Sequence, residues 1–134
     1  MKNKMTKIPY GKNVYDNNEI NAVIKTLKKS TQMGSSVESF EQKISKLFSK
    51  NFGLMVNSGS SALTLALKVM DFKKDSEIIT PCLNFGTAVS SIMLSNLKPI
   101  FVDCEIETLQ IDIKKIEEKI TKKTKALLIP NLIG

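Results

Sequence analysis

The sequence predicts an α/β domain with a largely parallel sheet covered on both faces. Three observations carry this. Four short apolar runs, Leu54–Val56, Glu77–Thr80, Ile100–Asp103 and Ala126–Ile129, have strand length and lie beside Gly53, Pro81, Pro99 and Pro130. Segments with helical period separate one run from the next, so neighbouring strands need crossover connections, which are right-handed in parallel sheets. Helical crossovers in turn cover both faces of the sheet.

Taken in order, Met1–Tyr10 is expected to be a poorly fixed arm, with a domain over residues 11–134. Asn17-Asn18-Glu19 followed by Ile20, Val23, Ile24 and Leu27 predicts a capped amphipathic helix ending near Ser30. Thr31–Ser36 is a loop around Gly34. Val37, Phe40, Ile44, Leu47 and Phe48 then keep helical spacing as far as Lys50. After the strand expected over Leu54–Val56, Asn57–Ser61 turns the chain. Ala62, Leu65, Ala66 and Val69 open a new helical face. Asp71–Asp75 is a polar break before the second strand, which stops at Pro81. Cys82–Gly86 is a loop, Thr87–Asn96 a mostly buried helix, and Ile100–Asp103 the third strand. Ile113, Ile116 and Ile120 predict another helix with Asp112 as its cap, and Ala126–Ile129 is the fourth strand. In such sheets ligands bind beyond the carboxyl ends of the strands, which selects the loops Asn57–Ser61, Pro81–Gly86 and Pro130–Gly134.

Composition narrows the function. In 134 residues, 42% hydrophobic and 25% charged, the chain reads as one ordinary soluble globular domain at most. Its apolar runs are too short to span a bilayer, and no apolar segment follows the basic N-terminus, so neither a membrane anchor nor a secretory signal is expected. Cys82 and Cys104 lie outside any C-x-x-C and read as free thiols of a cytoplasmic protein; no metal-ligating set stands out. The net charge of +7 invites a nucleic-acid reading, but every basic residue is lysine, without the bidentate arginine fork, and the lysines are mixed with acids along the chain. No nucleic-acid partner is expected.

The turn Asn57-Ser58-Gly59-Ser60-Ser61 is the most informative stretch. A helix N-terminus offers amides without internal partners and the positive end of a dipole, Gly59 admits an anion close to the backbone, and the serines add hydroxyls. On the turn alone, an N-cap in which the serines satisfy the helix end is the favoured reading. The ATP-type loop G-x-x-x-x-G-K-[ST] and the dinucleotide fingerprint G-x-G-x-x-G are both absent.

Four stretches together resemble the sugar aminotransferase family of pyridoxal-phosphate enzymes, the DegT–DnrJ–StrS type. Met33-Gly34 with Val37-Glu38-Ser39-Phe40-Glu41 is similar to its leading helix, and Val56–Leu63 to its N-S-G-T/S-x-A-L phosphate turn. Thr80-Pro81 with Asn84-Phe85 is similar to its T-P-x-x-T-F/W loop, and Pro99–Asp103 to its P-V-F-V-D strand. The closing Ile129–Gly134 is most similar to the branch with nucleotide-sugar 3-dehydrases. Asn84 and Ser60 stand where members commonly have Thr; both keep a hydrogen-bonding side chain.

The resemblance implies the N-terminal part of the large domain of an aspartate-aminotransferase-like (type I) fold, a three-layer α/β/α sandwich working as a homodimer. It implies pyridoxal 5'-phosphate as cofactor, its phosphate held by Gly59, Ser60 and Ser61 and its ring stacked on Phe85. A nucleotide sugar and an amino donor would be the reactants of the full-length enzyme. Asn131 falls at a strand end near the active site without an assigned role, and Asp103 reads as a turn cap rather than an acid or base. The lysine that carries the cofactor and the acid facing its pyridinium nitrogen lie further along in the family. No lysine here sits in a matching motif, the histidine that replaces it in the dehydrase branch is absent, and no catalytic residue is named. The expectation is therefore a partial large domain, inactive alone. The alternative is a truncated, non-catalytic paralogue that binds an anion or dimerises.

Overall fold

A computed structural model describes residue 9 and residues 11–32 and 34–131. The arm expected over Met1–Tyr10, apart from Pro9, lies outside these residues, as do Met33 and Leu132–Gly134. The chain divides into two compact units, Met1–Met55 and Val56–Gly134.

The first unit holds α1 (Asn17–Lys29) and α2 (Ser35–Leu47). Asp16, one residue before the expected start, caps α1: its carboxylate accepts from Asn18 N at 2.7 Å, while the Glu19 carboxylate accepts from Asp16 N at 2.8 Å. Lys28 and Lys29 in the last turn complement the negative end of the dipole. The apolar stripe of α1, Ile20, Val23, Ile24 and Leu27, is exposed throughout. After α2 the chain folds back on it at Gly53, where a Cβ would come within 2.8 Å of the Glu41 carbonyl oxygen. Only glycine permits that approach.

The strand expected over Leu54–Val56 does not form. That segment belongs to no ladder among the described residues, and the amide of Met55 donates instead to the Glu41 carboxylate at 2.6 Å. Its apolar residues have strand character, but a strand exists only where a neighbour accepts its backbone bonds.

The second unit is built on α3 (Gly59–Val69), β1 (Glu77–Pro81), α4 (Gly86–Leu94), β2 (Lys98–Val102) and β3 (Thr124–Leu127). The strands form a parallel sheet in the order β2-β1-β3. The central strand is buried along its whole length, as both-sided coverage requires. Alternation along β1 sorts the core into two layers. Ile78 packs with Leu67, Ile92 and Leu97 beneath α3 and α4, whereas Ile79 packs on the opposite face with Val102 and Ile111. β3 starts two residues before its expected position, yet Leu128 still donates to the Ile79 carbonyl at 2.8 Å.

The helix expected from Ile113 to Ile120 is replaced by two 3-10 turns, Ile113–Lys115 and Glu117–Lys119. Asp112 caps the first as expected, accepting from Lys114 N at 3.1 Å. The segment is anchored at each end: Asp112 N donates to the Asp103 carbonyl, and Thr121 Oγ1 donates to Glu77. A tether this short, in which Ile113 and Ile120 stay exposed and Ile116 alone packs on the core, returns too little burial to offset helix nucleation.

Glu77 is a buried carboxylate at the start of β1. It accepts from Thr121 Oγ1 at 2.6 Å and from Thr124 Oγ1 at 3.5 Å, and has no ion-pair partner among the described residues. Beside it, β3 carries an irregularity: Glu77 pairs with Thr124 but Ile78 pairs with Ala126. Thr121→Val removes the 2.6 Å bond and leaves a buried side-chain acceptor short of its partner, and is expected to lower the unfolding free energy by about 1–2 kcal/mol. A urea-denaturation midpoint unchanged from the parent would refute this.

Candidate functional site

α3 and α4 run in the same direction on one face of the sheet. Their C-terminal ends meet in a cavity of about 260 Å³ lined by Leu67, Lys68, Phe72, Leu94, Ser95 and Asn96. Midway along, Thr64 Oγ1 and Ser91 Oγ lie 3.0 Å apart, with Ser91 buried. Because α4 starts just past the carboxyl end of β1 and delivers the chain to the amino end of β2, both helix N-termini lie at the carboxyl edge of the sheet. The turns Asn57–Ser61 and Pro81–Gly86 therefore share one edge.

At the first turn, Ser58 is the N-cap: its Oγ accepts from Ser61 N at 3.1 Å and donates to Ser61 Oγ at 3.0 Å. Ser61 Oγ in turn donates to Asn57 Oδ1 at 2.6 Å. The cap predicted for this turn is thus present, carried by Ser58. It leaves over what an anion needs. The amides of Gly59 and Ser60 and the Ser60 hydroxyl have no acceptor among the described residues. No acid stands in the first turn, and a Cβ placed on Gly59 would meet nothing within 4 Å. Of the predicted donors, Gly59 and Ser60 remain available, while the proton of Ser61 is committed within the turn.

At the second turn, Phe85 precedes α4 and is 75% exposed, its ring open to solvent rather than in the core. Its backbone is held firmly. Phe85 N donates to Asn84 Oδ1 at 2.7 Å, Asn84 Nδ2 donates to Thr80 Oγ1 at 2.9 Å, and Thr80 Oγ1 donates to the Leu128 carbonyl at 2.9 Å. Thr80 is completely buried. Neither Thr80 nor Asn84 stood out as a site residue in the sequence; the signal was their place in the T-P-x-x-N-F stretch, which fixes spacing but not hydrogen bonding.

The remaining candidates separate. Asp103 Oδ1 accepts from Cys104 N at 2.8 Å and Oδ2 lies 3.9 Å from Lys115 Nζ, a turn-capping arrangement at the end of β2. Asn131 is exposed beyond β3. Cys82 and Cys104 are unpaired thiols. Among the described residues no group of His, Cys, Asp and Glu could hold a metal ion, and no helix is long and apolar enough to cross a membrane.

The chain is similar to known proteins in sequence and in fold. The model of the DegT/DnrJ/EryC1/StrS aminotransferase family matches residues 13–134. The chain is 32% identical, over all of its own length and 36% of the relative's, to GDP-4-keto-6-deoxy-D-mannose 3-dehydratase of Yersinia pseudotuberculosis. It is 33% identical, over 76% of its length and 28% of the relative's, to dTDP-3-amino-3,6-dideoxy-alpha-D-galactopyranose transaminase of Aneurinibacillus thermoaerophilus. The solved structure of the E coli GDP-4-keto-6-deoxy-D-mannose-3-dehydratase with bound hydrated PLP superimposes with a TM-score of 0.84 and 32% identity, covering 93% of this chain and 34% of that one. The fold is accordingly that of the N-terminal part of such enzymes, and the chain spans roughly a third of the length of the relatives it matches.

Proposed function

The chain belongs to the DegT/DnrJ/EryC1/StrS aminotransferase family, and from that premise we propose that it forms the phosphate-binding part of a PLP-dependent enzyme acting on a keto-deoxysugar nucleotide. The observation that carries this reading is the pairing, on one sheet edge, of two unengaged helix amides at Gly59 and Ser60 with the exposed ring of Phe85. The donor set suits a phosphate monoester: two amides at the positive end of a helix, a serine hydroxyl, and no acid to repel it. Phe85 offers its face to an electron-poor pyridine ring.

In this role Gly59 and Ser60 bind the phosphate, Ser58 and Asn57 hold the turn open through Ser61, and Phe85 orients the ring. When bound, the cofactor supplies an electron sink for chemistry beside a carbonyl or amine. Both relatives named above bear nucleoside-diphosphate sugars in their names, which supports a substrate of that class and a role in deoxysugar or surface-polysaccharide synthesis. Transamination and dehydration are the two reaction types. An amino donor, a homodimeric assembly and a cytoplasmic setting complete the proposal. The chain by itself contributes no catalytic lysine and is proposed to be inactive alone.

Pyridoxamine phosphate is the probe for this reading, because an aldehyde would react with the 20 lysines indiscriminately. Equilibrium dialysis is expected to show saturable binding of pyridoxamine phosphate and at least tenfold weaker binding of pyridoxamine, which lacks the phosphate, equivalent to about 1.4 kcal/mol. Ser60→Ala is expected to weaken the phosphate form by about tenfold or more, the loss of one hydrogen bond to a charged group at about 1.5 kcal/mol. Equal binding of the two amines would overturn the assignment.

A further inference from the structure

We propose that Asn84 is a positioning residue for the aromatic ring of a bound ligand, acting through Phe85. This rests on the reading of the site given above. The three bonds from Phe85 to Leu128 have one polarity: amide to carboxamide oxygen, carboxamide nitrogen to hydroxyl, hydroxyl to carbonyl. Each donor polarises the next, so the chain is stronger than three isolated bonds.

Its direction has no alternative. The single proton of Thr80 is committed to Leu128, so Thr80 can only accept from Asn84. Turning the Asn84 amide over would set an oxygen against the Thr80 oxygen and an NH2 group against the Phe85 N–H. The relay is anchored in the fully buried Thr80 of the central strand and on the carbonyl of Leu128, just past the end of β3.

Besides the relay, Phe85 is held among the described residues by its carbonyl, which accepts from Ala88 N at 2.9 Å in the first turn of α4. The Phe85 side chain is 75% exposed, so the packing of its ring does little to fix its place. The backbone at the start of α4 does so, and Asn84 ties that backbone to the sheet. The Asn84 carboxamide thereby sets where the aromatic face stands relative to the phosphate donors on α3.

Asn84→Asp is the sharpest test, since it keeps shape and puts an oxygen where Thr80 needs a donor; Asn84→Ala removes the relay without adding charge, and Asn84→Thr restores a hydroxyl. Each full chain is titrated with pyridoxamine phosphate and with inorganic phosphate, and the ratio of the two affinities is compared with that of Phe85→Ala. Asn84→Asp and Asn84→Ala are expected to reduce the ratio by about fivefold, approaching Phe85→Ala, and to diminish the induced circular dichroism of the bound pyridoxamine. Asn84→Thr is expected to recover part of both. General destabilisation would weaken both ligands equally and leave the ratio unchanged. An unchanged ratio in a parent that binds pyridoxamine phosphate overturns the role of Asn84 alone; a parent that binds no pyridoxamine phosphate overturns the site itself.

Discussion

Ile79→Ala is expected to destabilise the Val56–Gly134 unit by about 3–4 kcal/mol, with Ile79→Val costing about 1 kcal/mol. Ile79 is wholly buried at the centre of the smaller core layer, against Val102 and Ile111, with Ile100 and Ile116 at its margin. The 3-10 turns that cover this layer are tied at both ends, so they cannot collapse into the space left by three carbon atoms. Loss of transfer free energy and a residual cavity therefore add. Ile78, equally buried, gives a useful contrast. It lines an open apolar groove of about 250 Å³ with Leu63, Leu67, Ala126 and Leu128, whose side chains have room to relax inward. Ile78→Ala is accordingly expected to cost less than Ile79→Ala. Urea unfolding with unchanged slope measures both, and a loss below 1 kcal/mol for Ile79→Ala would contradict the closed packing described here.

Gly59→Asp is expected to abolish most pyridoxamine phosphate binding while leaving stability unchanged or slightly raised. The substitution separates fold from ligand because the position is open: a Cβ meets nothing within 4 Å, and the backbone is not in the left-handed region. An acid in the first turn of a helix that has none favours the dipole, and replacing glycine improves helix propensity. The same carboxylate would stand where a phosphate must come. Like charges several ångström apart at the protein surface repel by about 2–3 kcal/mol, a loss of roughly 30- to 150-fold in affinity. Gly59→Asn, neutral and of the same size, is expected to lose far less, and high salt should return part of the loss in the aspartate variant. Equal effects of Asp and Asn would mean that size rather than charge governs the turn, and unaltered binding in both would move the phosphate elsewhere.

Much of this architecture is legible in the residues. Helical spacing located α1, α2, α3 and α4, and the apolar runs beside Pro81, Pro99 and Pro130 located the three strands within two residues at each end. Two errors share a cause. Leu54–Val56 has the composition of a strand and Ile113–Ile120 the spacing of a helix, but neither finds the surroundings its pattern anticipates: the first has no ladder, the second is too tightly tethered and too exposed. At the site, motif and turn chemistry point to Gly59, Ser60, Ser61 and Phe85. Their division into engaged and available donors depends on which proton goes where, and a string of residue types does not encode that.

Local features are written directly in the residues: the order and kind of most elements, the caps, the small-residue turn and the aromatic beside it. These follow from interactions within a few residues, where period and side-chain chemistry act directly. Packing in three dimensions is what points α3 and α4 the same way, brings Gly53 against Glu41, and lets Thr80 link Leu128, 48 positions away, to Asn84. Such contacts join residues that are not neighbours along the chain, and the geometry of those at Thr80 is settled only when β1 is buried between its neighbours and every buried polar group must find a partner.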